Sequence, residues 1–228
     1  MTTIPLESHA PHRPTRSDGE ESRERLLQAG LRLFAHQGFS KTSTRELAEA
    51  ANVNVAAISY YFGDKAGLYR AVFFEPKGPV SHDIARFADP AMPLPDALRG
   101  FYAGFLEPLR QGDLVRLCMK LHFREMLEPT GLWEEEVAQG IRPMHEALVA
   151  LLCRHFGVNA ADADLERLAF CIAGLAVHLH VGHELIEELS PGLNTAADAV
   201  DRWSDRLVMF AEAMIAAERG RRDGVRTP

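Results

Sequence analysis

Residues 43–65, STRELAEAANVNVAAISYYFGDK, constrain this chain more tightly than any other stretch. Ser43 and Glu46 stand at S-x-x-E spacing, so the hydroxyl can accept from an orphan amide at a helix start while the carboxylate reaches back. Leu47, Ala48 and Ala51 form the inner face of the short helix that follows. Asn52 falls where the chain must turn, and asparagine tolerates positive φ better than most residues. Val53 plugs the turn and Asn54 caps another short helix, predicted over 55–62. Gly63 ends that helix, and Asp64 caps a further one that runs to about Phe74. Two short helices sharing a small core of Leu47, Val53 and Ile58 across a tight turn make a helix-turn-helix, which seats its second helix in a DNA groove.

Upstream, residues 1–20 are polar, proline-rich and aperiodic, and read as a disordered arm from which Arg13 and Arg16 could reach DNA. A first helix over 22–36 carries Leu26, Leu27, Gly30, Leu33 and Phe34 on one face, with Gly38 as its left-handed exit. Pro76, Gly78 and Pro79 mark a boundary between a DNA-binding domain at 21–75 and a second domain at 76–228. In the second domain, helical patterns fall near 80–88, 95–110, 113–127, 133–156, 163–189 and 195–219, separated by proline and glycine. Helix formers dominate and strand-like alternation is almost absent, so the fold class is all-α. No repeat of fixed period points to a solenoid.

The net charge of −7 argues weakly against a nucleic-acid partner, but it is unevenly spread. Residues 1–70 hold nine Lys/Arg against eight Asp/Glu, net +1, and the remainder holds sixteen against twenty-four, net −8. Phosphate attraction is screened beyond roughly 8–10 Å, so a local basic face can work on an acidic body. Cys118, Cys153 and Cys171 lie in apolar helical patterns and read as reduced core thiols. The N-terminus lacks an apolar signal core and no apolar run approaches a membrane span, so a cytoplasmic protein without membrane contact is expected.

Over 163–189 the residues Leu165, Leu168, Ile172, Leu175, Leu179, Gly182, Ile186 and Leu189 step in threes and fours, a heptad-type seam. The last helix has a similar face at Ala196, Val200, Trp203, Leu207, Phe210 and Met214. Two such helices suit a homodimer in which each subunit gives two helices to a four-helix bundle. The expected interface is Leu168, Ile172, Leu175, Leu179, Ile186, Trp203, Leu207, Phe210 and Met214, although an internal core pair would bury the same faces.

Across 22–70 the chain resembles the DNA-binding region of the tetracycline-repressor (TetR) family. The shared features are a first helix ending before Gly38-Phe39, then T-S-T-R-E-L-A, a small-residue turn and Y-Y-F-G-D-K-A-G-L. The LHFREMLEPTG stretch and the helices after it resemble the CecR-like branch of that family. The resemblance implies an all-helical, dimeric repressor that binds double-stranded DNA and is released by a small-molecule effector. By position, Ser43, Thr44, Tyr61 and Lys65 match phosphate contacts, while Arg45 matches a contact to base edges or phosphate. Asn54, Val55, Ala56, Ser59 and Tyr60 fall on or beside the groove-facing surface of the recognition helix. Val55 and Ala56 offer only apolar contact, so base reading leans on Arg45, Ser59, Tyr60 and DNA shape. Consecutive helical residues diverge by about 100°, so Tyr60, Tyr61 and Phe62 cannot all point inward. Phe62 is expected to pack on the first helix and Tyr61 to face out.

An apolar effector pocket between the later helices is expected from Phe105, Met119, His122, Phe123, Met126, His145 and His178. Arg116, Lys120 and Arg124 recur every four residues and read as a solvated basic stripe. The rival reading is a helical-bundle metal protein or enzyme built on His178, His180 and His183. No E-x-x-H, H-E-x-x-H, phosphate loop or nucleophile motif accompanies that cluster, so no metal, cofactor or catalytic group is assigned.

Overall fold

The computed structural model describes residues 16–75, 80–110 and 113–225, and every regular element in them is helical. The first four helices are α1 (Arg16–Lys41), α2 (Thr44–Ala50), α3 (Ala56–Phe62) and α4 (Lys65–Phe74). Then come α5 (Val80–Ala85), α6 (Leu94–Arg110), α7 (Asp113–Leu127) and α8 (Trp133–Glu136). A π-helical turn (Val137–Ile141) leads into α9 (Arg142–Phe156), followed by α10 (Ala163–Val181), α11 (His183–Leu189) and α12 (Ala199–Val225). The expected arm at residues 1–15 and the Pro76–Pro79 and Gly112 breaks lie outside the described residues.

Two cores organise these helices. Leu26, Phe34, Leu47, Ile58, Leu68 and Phe73 close the first, with Leu121 of α7 completing it. Tyr102, Leu148, Leu165, Ile172 and Ala211 belong to the second, which joins α6, α9, α10 and α12. The first core therefore reaches past residue 75 into α7, with Leu117 and Cys118 packed on its margin.

Several expectations change. Residues 16–20, expected in the arm, extend α1 backward by more than a turn. Gly38, at φ 81°, breaks the helical conformation as expected, but one more turn follows it to Lys41. The segment 163–189 is two helices bent by 70°. The bend is at Gly182, whose amide donates to the His178 carbonyl at 2.8 Å. A Cβ there would lie 2.9 Å from that carbonyl oxygen. Pro143 has no N–H to return to Gln139, and the π-helical turn immediately before α9 accommodates that lost bond.

The heptad seam faces the chain's own core. Leu168, Ile172, Leu179 and Leu207 are buried within the single chain, and Leu175, Ile186, Trp203 and Met214 pack partly buried against the same cluster. Of the expected interface, only Phe210 stands open, at 43% exposure. The strongest apolar face of each helix is satisfied inside the subunit, as the internal-pair alternative anticipated. The thiol reading also changes: Cys153 is buried and Cys118 partly so, but Cys171 is exposed on the outer side of α10. No single helix among the described residues is long and apolar enough to cross a membrane.

Candidate nucleic-acid interface

The local geometry of residues 43–65 follows from its caps. Ser43 Oγ accepts from the Glu46 amide at 3.2 Å, and Glu46 Oε2 accepts from the Ser43 amide at 2.8 Å. The bonds from Ser43 hold the Glu46 carboxyl below the usual carboxylate range. Asn52 takes φ 51°, and the Val53 amide returns to the Ala48 carbonyl at 2.9 Å, so the turn is closed by backbone bonds. Asn54 Oδ1 accepts from the Ala56 amide at 2.9 Å, and Asp64 Oδ1 from the Gly67 amide at 2.8 Å. Arg25 of α1 donates through Nε to the Ala51 carbonyl at 3.1 Å, satisfying an orphan acceptor at the end of α2.

Ile58 points into the core, which turns Val55, Ala56, Ser59 and Tyr60 outward on α3. Arg45, Ser43 and Asn54 are exposed beside them, and Thr44 is half-buried. Arg45 has no ion pair among the described residues. Tyr60 is 82% exposed and its ring meets Tyr61 edge-on at 4.8 Å. Tyr61 is half-buried against the first core, so Tyr60 is the more open of the two. Phe62 is only partly buried and lies under the Arg23 guanidinium of α1 at 5.1 Å.

Lys65 is placed differently from the sequence expectation. Its Nζ donates to the carbonyls of Phe39 at 3.0 Å and Thr42 at 2.9 Å, and sits 4.2 Å from the Phe39 ring centroid. Two of its three protons are committed to the end of α1, as a cation at a helix C-terminus is favoured to be. The ammonium clamps the α1–α2 junction, next to Ser43 and Thr44.

Among the described residues, three bridges join this head to the second half. Tyr69 of α4 donates to Glu125 of α7 at 2.7 Å, and burial together with that bond pushes the phenol pKa up. Glu125 is fully buried and also accepts from the Thr130 amide at 2.7 Å and hydroxyl at 3.0 Å, and from the Leu132 amide at 3.1 Å. Arg70 of α4 makes a two-bond pair with Glu135 of α8, at 2.5 and 2.6 Å. Arg124 of α7 donates to the His36 carbonyl of α1 at 3.3 Å and to Glu128 at 2.7 Å. The Glu125 network escaped sequence reading, though a signal existed. Leu114, Cys118, Leu121 and Glu125 step by four, three and four, so this acid falls on the apolar side of α7.

The expected pocket residues do not converge. Met119 and Phe123 line a cleft of 920 Å³ between α1, α7 and the α10–α11 bend, together with Arg32, His36, His180 and His183. Phe105 is outside the cleft lining, and its carbonyl is contacted by His180 Nε2 at 2.8 Å. His122 turns the other way, its ring 4.0 Å from Phe73. His145 pairs with Glu166 at 2.8 Å, and Met126 and His178 are exposed outside the cleft lining. Arg116, Lys120 and Arg124, expected as a solvated stripe, form one wall of the cleft. Of the histidine cluster, His180 and His183 share the cleft, His180 facing the Phe105 carbonyl and His183 meeting Asn194 at 3.3 Å, while His178 faces solvent. No group of three His, Cys, Asp or Glu among the described residues could hold a metal ion.

A family model described as bacterial regulatory proteins, tetR family, matches residues 26–72, from within α1 to near the end of α4. A second, described as the C-terminal domain of the HTH-type transcriptional dual regulator CecR, matches residues 94–217. The chain belongs to the TetR family of DNA-binding transcriptional regulators. Its CecR-like half is the part that carries α6 to α12. Among curated relatives, the HTH-type transcriptional dual regulator CecR of Shigella flexneri is 32% identical over 181 residues, 74% of this chain and 79% of that protein. A TetR-like transcriptional regulator from Rhodococcus sp. RHA1 has the same fold, with TM-score 0.59 at 20% identity over 90% of this chain and 99% of that one. NalD, the secondary repressor of the MexAB-OprM multidrug efflux pump in Pseudomonas aeruginosa, is similar in fold, with TM-score 0.54 at 17% identity over 86% of this chain and 98% of that one.

Proposed function

We propose that this TetR-type regulator is a homodimeric repressor whose two heads bind a near-palindromic operator and are released by a small-molecule effector. The observation that carries the reading is the exposed face of α2 and α3. Arg45, Ser59 and Tyr60 stand open on a head whose own backbone is capped without them. Ser59 and Tyr60 read base edges, Arg45 reaches a base edge together with its phosphate, and Asn54, Val55 and Ala56 line the groove. Ser43, Thr44 and Tyr61 set the register on phosphates, and Lys65 acts through the junction it clamps.

The dimer forms through the outer sides of α10 and α12. There Phe170 is 66% exposed and Met209 and Phe210 are each 43% exposed, beside the small exposed residues Gly174 and Ala213. This face replaces the buried seam as the interface. The effector binds better to the arrangement in which the heads are wrongly spaced for DNA, and linkage makes the weakening of the two ligands mutual.

A nuclease footprint of the purified protein on genomic DNA tests this. The expected result is discrete, two-fold-symmetric protection with half-sites about one helical turn, roughly 34–36 Å, apart. Diffuse protection that follows no sequence would overturn it.

A further inference from the structure

We propose that the cleft between α1, α7 and the α10–α11 bend is the effector site and that it selects a small amphipathic organic anion. This rests on the reading of the chain as an effector-released regulator, and adds the place and the chemistry. Its 920 Å³ lies within the range typical of small-molecule pockets, roughly 300–1,000 Å³.

The walls carry two kinds of surface. Leu114, Leu127 and Val181 line the cleft while remaining exposed, and Phe123 lines it between them. Apolar side chains that the chain's own core leaves open at a concave site favour an apolar ligand body. The charges are not balanced. Four cations, Arg32, Arg116, Lys120 and Arg124, face three anions, Asp113, Glu128 and Glu184. Each anion is already paired with a cation of α7: Asp113 with Arg116, Glu184 with Lys120 at 3.0 Å, and Glu128 with Arg124 at 2.7 Å. The remaining cation is Arg32 of α1, which has no ion pair among the described residues. An acidic head on Arg32, with its apolar tail on Leu114, Leu127 and Val181, meets both demands at once. Lys120 can add a bond, because its partner Glu184 is largely solvent-exposed and lightly held.

The position supplies the coupling. Arg32 belongs to α1, which carries the DNA-reading head, while the apolar wall belongs to α7 and α10. A ligand touching both biases how α1 sits on α7, the junction that Arg124 bridges to the His36 carbonyl. A differential contact of this kind is what an effector needs to shift a two-state equilibrium.

Calorimetry of the full-length protein with decanoate, decanol and decyltrimethylammonium tests the proposal. The expected result is saturable decanoate binding, one per subunit, with decanol about tenfold weaker and the cation weaker still. Arg32→Gln should weaken decanoate by about tenfold and decanol by less than about twofold. Val181→Trp, which fills the cleft from an exposed position, should weaken both. Equal binding of decanoate and decanol, unchanged affinity in Arg32→Gln, or no saturable decanoate binding would each overturn the proposal. The operator assay separates this from the parent reading. Decanoate bound in the cleft with no change in operator affinity sinks the effector reading while the site stands. Operator release that persists unchanged in both variants sinks the site while the effector reading stands.

Discussion

The reading head and the helical body differ in where their unsatisfied groups lie. In the head, orphan amides of α2, α3 and α4 are met within a few residues by Ser43, Asn54 and Asp64, and carbonyls at the ends of α1 and α2 are met by Lys65 and Arg25. What remains open is a polar and aromatic face. In the body, the strongest apolar faces close on one another, and what remains open is apolar: Phe170, Met209 and Phe210 on one side, Leu114, Leu127 and Val181 on another. An unsatisfied polar face suits a polar polymer. Unsatisfied apolar faces suit a second subunit and a small amphipathic ligand.

Charging the open outer face should have the largest effect. Met209→Glu with Phe210→Glu should yield a folded monomer in sedimentation, with operator affinity lower by orders of magnitude because one head reads only one half-site. A dimer that survives both changes would move the interface elsewhere and dissolve the contrast. Next comes the joint between the two regions. Glu125→Ala leaves the Tyr69 hydroxyl and the Thr130 and Leu132 amides without their acceptor, at a cost of roughly 2–3 kcal/mol in urea unfolding. A smaller loss, under about 0.5 kcal/mol, would show that the halves are not tied through this carboxyl. The smallest effect belongs to the purely local device. Ser43→Ala should cost about 1 kcal/mol through the lost cap. The Ser43 amide, the main group that holds the Glu46 carboxyl low, survives this change, so the cost should vary little as pH drops through the carboxylate range. A cost of several kcal/mol would mean that the cap is tied to tertiary structure.

The same contrast explains what was legible in the sequence. The capping box, the Asn52 turn, the Gly63 stop and the outward face of α3 are set by neighbours within four residues, and spacing alone exposes them. The seam of α10 was equally visible as a periodicity, but periodicity does not say which apolar surface a face meets. Leu168, Ile172 and Leu179 meet α6, α9 and α12 of their own chain. Lys65 was legible as a cation near the phosphate side. That its ammonium bends back 26 residues to Phe39 is a tertiary fact with no local signal. The cleft joins Arg32 to Val181, a pairing that only the fold creates.

The central claim is that the outward face of α2 and α3 carries DNA binding, while Lys65 serves the head from within. The most direct test is operator affinity as a function of salt for wild type, Arg45→Ala and Lys65→Ala. The account predicts that Arg45→Ala lowers the salt slope by about one per half-site. It predicts that Lys65→Ala weakens binding with the slope unchanged. A slope that falls for Lys65→Ala and stays fixed for Arg45→Ala would contradict it.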